Sequence, residues 1–318
     1  MENFLVFLLF AVGLVCIIKG GDWFVDAASW IASVSGIPHF IIGATIVSLA
    51  TTLPEILVSI MAAASGSADM AIGNAIGSVT ANTGMILAIS ILFMPAVIER
   101  RKYMPKSLIF IGAIILLWLL SSGGKLTVVG ALVMMALFIF FIWENISEAK
   151  KEMGANADEK APTDRKSIIK NIILFIVGAA GIVIGSRLLV DNGTIIARDI
   201  LHIDERIVSL TMVAIGTSLP ELVTTITAIV KKQSALSVGN IIGANVIDMI
   251  LILPLCSFVM GGSLAVEWST IWIDIPICLL VAVLTIVPAL ISGRFRRWQG
   301  AAALTVYAGY LVYLCVGA

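Results

Sequence analysis

Charge is scarce in this chain. Of 318 residues only 13% are charged, while 60% are hydrophobic and the mean hydropathy is +1.09. An ordinary soluble domain is about half apolar and roughly a quarter charged, so a soluble globular class is excluded. Acids and bases balance at 20 each; with no net field, nucleic acid is not an expected partner. Cysteine is rare as well. Cys16, Cys256, Cys278 and Cys315 all lie in apolar stretches without CxxC spacing, which argues against a disulfide framework or a thiolate metal cluster. The two histidines, His39 and His202, fall near segment ends and read as interfacial residues. HExxH and GxSxG are missing, and Gly20-Gly21-Asp22 is only a weak echo of an aspartyl-protease motif, so no enzyme is expected. The start, Met1-Glu2-Asn3, has no basic n-region, and no cleaved signal peptide is expected.

Long apolar runs are abundant. A spanning helix needs about 20 mostly apolar residues. Segments at 4–27, 39–64, 70–94, 105–121, 125–144, 168–192, 206–231, 236–260, 268–292 and 299–317 meet that need. The runs do not alternate, so helices are expected and a barrel is not. Lysine and arginine then orient them. One set of alternate loops carries 15 of the 20 basic residues, among them Arg100, Arg101, Lys102, Lys106, Lys150, Lys151, Lys231 and Lys232, and the opposite set has 3, Lys125, Arg198 and Arg206. The positive-inside rule puts the first set in the cytoplasm and both termini outside. The only extended polar stretch, 146–167, reads as a cytoplasmic linker between a first unit, 1–145, and a second, 168–318.

The two units resemble each other. A shift of 166 aligns Thr45 with Thr211, Thr51 with Thr217, Pro54 with Pro220 and Glu55 with Glu221, and aligns Gly73–Gly77 with Gly239–Gly243. Five helices per unit is an odd number, so the second enters the membrane from the opposite side. The expected fold is all-α: ten transmembrane helices in two inverted five-helix repeats. Such repeats characterise transporters, whose sites lie near the midplane where helices are interrupted.

Glu55 and Glu221 sit deep in apolar segments at equivalent positions. An acid at the bilayer centre costs at least ~2.5–3.5 kcal/mol, and two unpartnered acids repel, so a purely structural pair is disfavoured. Each follows a proline, which removes a backbone donor and loosens the preceding carbonyls. Thr51, Thr52, Thr217 and Ser218 place hydroxyls at these breaks, and positions 48, 52 and 55 share a helical face. Hard cations such as Ca²⁺ and Na⁺ want such oxygens. The second motif, Gly73–Asn82 and its mate Gly239–Asp248, has glycines at i and i+4 that permit close helix contact. It carries Ser78 and Asn82 toward the glutamates, with a third acid, Asp248, matching Asn82 and Ala244 matching Ser78. Asn74 and Asn240 are expected to bond neighbouring helix ends.

With TTLPE/GTSLPE and GNAIGS/GNIIGA in this arrangement, nearly the whole chain resembles the cation/Ca²⁺ exchanger superfamily, in its prokaryotic Na⁺/Ca²⁺ exchanger branch. The resemblance implies ten helices in inverted repeats, with the first and sixth as the moving pair. It implies Glu55 and Glu221 as shared Ca²⁺ ligands, backbone carbonyls of Thr51 and Thr217 on Ca²⁺, and carbonyls of Ser48 and Ala214 on Na⁺. Thr52, Ser78 and Ser218 would give hydroxyls, and Asn82 and Asp248 would line the centre. No cofactor is implied; the transported ions are Ca²⁺ and Na⁺, the remaining partner is the lipid bilayer, and a monomer is compatible with it. Two departures stand out. Thr52 replaces a more frequent serine but keeps a hydroxyl, and Ala244 replaces an expected serine ligand, which leaves a flanking sodium site to water, Asn245 or a carbonyl. The acid of the proton-coupled GNxxE motif is missing, since Gly77 and Gly243 stand there. Sodium coupling is therefore favoured over a Ca²⁺/H⁺ exchanger on the same fold; a passive cation channel does not need the inverted architecture.

Overall fold

A computed structural model describes residues 2–95, 97–155, 164–200 and 205–317, with side chains described outside 2–3, 153–155, 197, 200, 205–217, 315 and 317. His202 and the middle of the polar linker lie outside the described residues, as do the side chains of Thr217, Ala214 and Cys315. The chain is helical almost throughout. Among the described residues, seven helices are long and apolar enough to cross a membrane, and an eighth candidate is a bent pair.

In chain order, α1 is Glu2–Ser35, and the bent pair is α2, His39–Thr51, with α3, Leu53–Ala64. Next come α4, Ala68–Phe93, and α5, Arg100–Ser121, then strand β1, Lys125–Thr127, and α6, Val128–Ala155. The remaining helices are α7, Arg165–Ile195, α8, Glu205–Val230, and α9, Ser234–Val259. Strand β2, Ser263–Ala265, precedes α10, Thr270–Ser292, and α11, Arg297–Gly317. The strands pair antiparallel, Leu126 opposite Leu264, so the segment expected to be helical from 125 begins with three extended residues.

Helix ends run past the apolar cores that betray them. α1 continues to Ser35 because Ser33 and Ser35 fold their hydroxyls back onto the Ser29 and Ile31 carbonyls, hiding polarity within the helix. The stretch 146–167 is helical at both ends: α6 persists to Ala155 and α7 starts at Arg165. Asp164 caps α7 by accepting from the Ser167 amide at 3.2 Å, and the Ser167 hydroxyl first and this amide second hold its carboxyl below the usual range. Lys106, counted above with the loops, is instead a fully buried residue of α5. Its ammonium pairs with Glu144 at 3.0 Å and with Glu148, both on α6. Buried charge needs such partners; the i, i+4 spacing of the two acids was the signal for them.

Glycine sets the two closest helix pairs. α1 and α7 pack antiparallel along their lengths: a Cβ on Gly13 would strike the Gly185 carbonyl, and one on Gly20 the Gly178 carbonyl. α2 and α9 run parallel, with Gly43 against Leu236 and Asn240, Gly239 against the Phe40 carbonyl and Gly243 against that of Ala44. Gly73 and Gly77, expected to make an equivalent contact, are exposed and meet nothing within 4 Å among the described residues. The core lies among α4, α5, α9 and α10, and α1, α6 and α7 turn apolar side chains such as Val15, Trp143 and Ile176 outward.

Candidate functional site

The bent pair positions the first glutamate. Thr52, at φ −83° and ψ −2°, leaves the helical path, and α2 and α3 meet there at 47°. Pro54 lies in the first turn of α3, where a missing amide costs nothing, and Glu55 follows, 1% exposed. Its mate differs. Pro220 lies inside α8, which is helical on both sides of it, so the second motif lacks the non-helical residue that Thr52 supplies in the first. Glu221 is equally buried.

Three more helices close around them. α4 and α9 each change to a π-helical turn, Asn82–Leu87 and Asp248–Ile252, and each turn starts at the residues that the shift of 166 pairs. π turns widen a helix locally and favour functional positions. Asn82 and Asp248 are buried there, as are Ser78 on α4 and Ser218 on α8. α2 carries a third π turn, Gly43–Val47, just before Ser48. The hydroxyl of Thr52 donates to Glu221 Oε1 at 3.3 Å, linking the α2–α3 break to α8. Thr51 Oγ1 lies 3.2 Å from Asn240 Oδ1 on α9. Asn74 donates to the Glu55 carbonyl at 3.3 Å and to Ser59 at 2.9 Å, the structural role expected of it. Asn245, named above as one group that could serve the site beside Ala244, donates through Nδ2 to Thr83 at 2.8 Å and ties α9 to α4, with its Oδ1 buried and without a partner.

The chemistry is carried by what these groups lack. Both Glu55 oxygens, Glu221 Oε2, both Asp248 oxygens, Asn82 Oδ1 and Ser218 Oγ are buried without a hydrogen-bond partner. Glu55 and Asp248 each face the negative charge of Glu221, and Arg187 is exposed. Buried acceptors without donors are costly, and cations are the partners that such oxygens accept. The three acids do not close into one metal-holding group of three or more such ligands among the described residues, so neutral oxygens must complete any coordination shell. Ser48, Thr51, Thr52, Ser78, Asn82, Ser218, Glu55, Glu221 and Asp248 are all buried; Thr217 and Ala214 are on α8, their side chains outside the described part.

Comparison with known proteins gives the family. The family described as sodium/calcium exchanger protein matches residues 5–146 and 170–316. The chain is 28% identical to the sodium/calcium exchanger MaX1 of Methanosarcina acetivorans, covering 98% of both proteins. It is 31% identical to the inner membrane protein YrbG of Escherichia coli, covering 97% of this chain and 95% of that one. Among solved structures, the sodium-calcium exchanger NCX_Mj soaked with Na⁺ and Sr²⁺ superposes with a TM-score of 0.85 at 27% identity, covering 98% of this chain and 99% of that one. With both halves matched and the polar linker between them, this chain belongs to the sodium/calcium exchanger family.

Proposed function

We propose that this integral membrane protein exchanges Ca²⁺ for Na⁺ by alternating access around Glu55 and Glu221. The observation that carries the reading is the set of buried carboxylate, amide and hydroxyl oxygens without donors at the meeting of α2, α3, α4, α8 and α9. Two carboxylates neutralise one Ca²⁺ or about two Na⁺, so occupancy by one ion set excludes the other, as exchange through a shared site requires. Asp248 and Asn82 line the centre, and Thr51, Thr52, Ser78, Ser218, Thr217, Ser48 and Ala214 supply neutral oxygens.

Ten spans in two inverted repeats complete the reading. α2 with α3 counts as one span beside the seven, and α8, Glu205–Val230, and α11, Arg297–Gly317, are taken as the remaining two. The basic residues then place both termini outside and the 146–167 linker inside. Sodium coupling fits the family and the glycines at 77 and 243. In vesicles loaded with Na⁺, an outward sodium gradient is expected to drive ⁴⁵Ca²⁺ uptake, with no uptake driven by a pH gradient alone. Uptake that follows only the pH gradient would favour a Ca²⁺/H⁺ exchanger.

A further inference from the structure

The two repeats treat one asparagine differently. In the first, Asn74 on α4 donates to the Glu55 carbonyl at 3.3 Å and to Ser59 Oγ at 2.9 Å. Ser59 donates onward to the Ala71 carbonyl of α4 at 3.3 Å. These bonds clamp α3 to α4 at the backbone of a site glutamate, just past the break at Thr52. The shift of 166 gives each member a mate: Asn240 for Asn74, Glu221 for Glu55 and Thr225 for Ser59. The donors and acceptors of a second clamp are therefore present on α8 and α9. That clamp is not made. Asn240 and Thr225 are wholly buried, and Asn240 Nδ2 and Thr225 Oγ1 both lack a hydrogen-bond partner.

Asn240 is turned to another helix. Its Oδ1 lies 3.2 Å from Thr51 Oγ1, but that hydroxyl has two other acceptors at the same distance, the Val47 and Ser48 carbonyls. A hydroxyl has one proton, so Asn240 holds only a share of it. Packing explains the turn. Gly239 and Gly243 press α9 onto α2, which brings Asn240 to the end of α2, whereas Gly73 and Gly77 are exposed and Asn74 stays on α3. An amide N–H is a donor, so no transported cation can satisfy it. Two buried groups left unpaired are costly, and pairing them with each other removes both costs at once. A two-fold axis in the membrane plane exchanges inverted halves and turns the molecule over. The state in which each half takes the other's conformation therefore opens to the opposite side.

We propose that Asn240 and Thr225 are positioning residues that form the second clamp in the opposite-facing state, where Asn240 donates to the Glu221 carbonyl and to Thr225 Oγ1 while Asn74 releases Glu55. Each site glutamate is then held by its asparagine in one state only, and breaking one clamp is coupled to making the other. This rests on the exchange reading given above. The test is the ratio of the two states in the full protein in vesicles, read as two distance populations between spin labels on α1 and α2 in a background without the native cysteines. The population that matches the distance in this structure marks the described state, and equilibrium Ca²⁺ binding checks folding. Thr225→Val keeps the shape and removes a hydroxyl that is idle in the described state. It is expected to shift the ratio toward that state roughly three- to tenfold, the size of one polar hydrogen bond. Ser59→Ala removes a bond made in the described state and is expected to shift the ratio by a similar factor the other way. In an Asn240→Ala background, Thr225→Val is expected to have no further effect, since its partner is gone. A purely structural role would not give opposite signs in the two repeats. No shift in Thr225→Val, shifts of the same sign in Thr225→Val and Ser59→Ala, or a full Thr225→Val effect without Asn240 overturns the proposal. A parent protein without sodium-driven ⁴⁵Ca²⁺ flux, or with a single distance whatever ions are added, overturns exchange by alternating access itself, before any variant is made.

Discussion

At the residue scale, the two glutamates are costly groups, as is Asp248, both of whose buried oxygens lack partners. Each glutamate is 1% exposed, and between the two, three of four carboxylate oxygens have no hydrogen-bond partner. Charge in that setting persists only where a counter-charge arrives, and in the proposed exchange that counter-charge is the transported ion. Removing one charge should leave Ca²⁺ undercompensated while preserving shape. Glu55→Gln and Glu221→Gln are each expected to lower sodium-driven ⁴⁵Ca²⁺ flux to background, with the folded protein still recovered from the membrane. Near-normal flux in either variant would remove that residue from the site.

Elements hold the site through contacts that leave no room for a side chain. α2 and α9 meet along Gly43, Gly239 and Gly243, where added Cβ atoms would strike backbone of the facing helix. Such contacts let dipoles and hydroxyls approach closely in a membrane, where water gives no hydrophobic drive between helices. Gly243→Ala must push α9 away from the Ala44 carbonyl and Ser48. Loss of more than about tenfold in exchange rate is expected, together with a lowered melting temperature in detergent, since overpacking costs about 1–3 kcal/mol. The same change at Gly77 meets open space among the described residues and is expected to be much milder; comparing the two variants by flux and thermal melting checks the asymmetry.

Across the whole molecule, α1 and α7 form a pair largely separate from the core. They pack on each other through Gly13, Gly20, Gly178 and Gly185, and each has only 22% of its most apolar window buried. They meet the rest through a second, smaller apolar cluster, in which Phe24, Ala28 and Ile182 pack with Ile42, Ala228 and Leu236, and through Lys231 at the end of α8, bonded to Asp26 at 2.7 Å. Sliding of such a pair across the site would open it to one side and then the other, the rocking expected of alternating access. In a background without the native cysteines, a disulfide between α1 and α2 is expected to stop ⁴⁵Ca²⁺ flux, while equilibrium Ca²⁺ binding persists and reduction restores transport. Undiminished flux in the fully crosslinked protein would exclude the movement.

Hydropathy, the two glutamates and the paired motifs are properties of the linear chain, so the membrane class, the family resemblance and the central acids were legible without coordinates. Apolar runs longer than a bilayer is thick have few other uses, and an acid inside one marks itself by its cost. Asn74 could be read too, since an amide inside an apolar helix must bond something, and it reaches the Glu55 carbonyl at the start of α3. Local irregularity was not legible. TTLPE and GTSLPE look alike, yet Thr52 marks a 47° bend and Pro220 has helix on both sides of it, because a proline removes one bond and the packed surroundings decide whether the helix is interrupted there. The π turns at Asn82 and Asp248 have no periodicity signature in so short a stretch. Lys106 looked like a loop cation until α6 brought Glu144 and Glu148 to it. The facing of Ser48 and Gly243 joins residues far apart in sequence, so composition and spacing determine which oxygens are present, and only helix packing decides which of them share a cavity and which are already bonded.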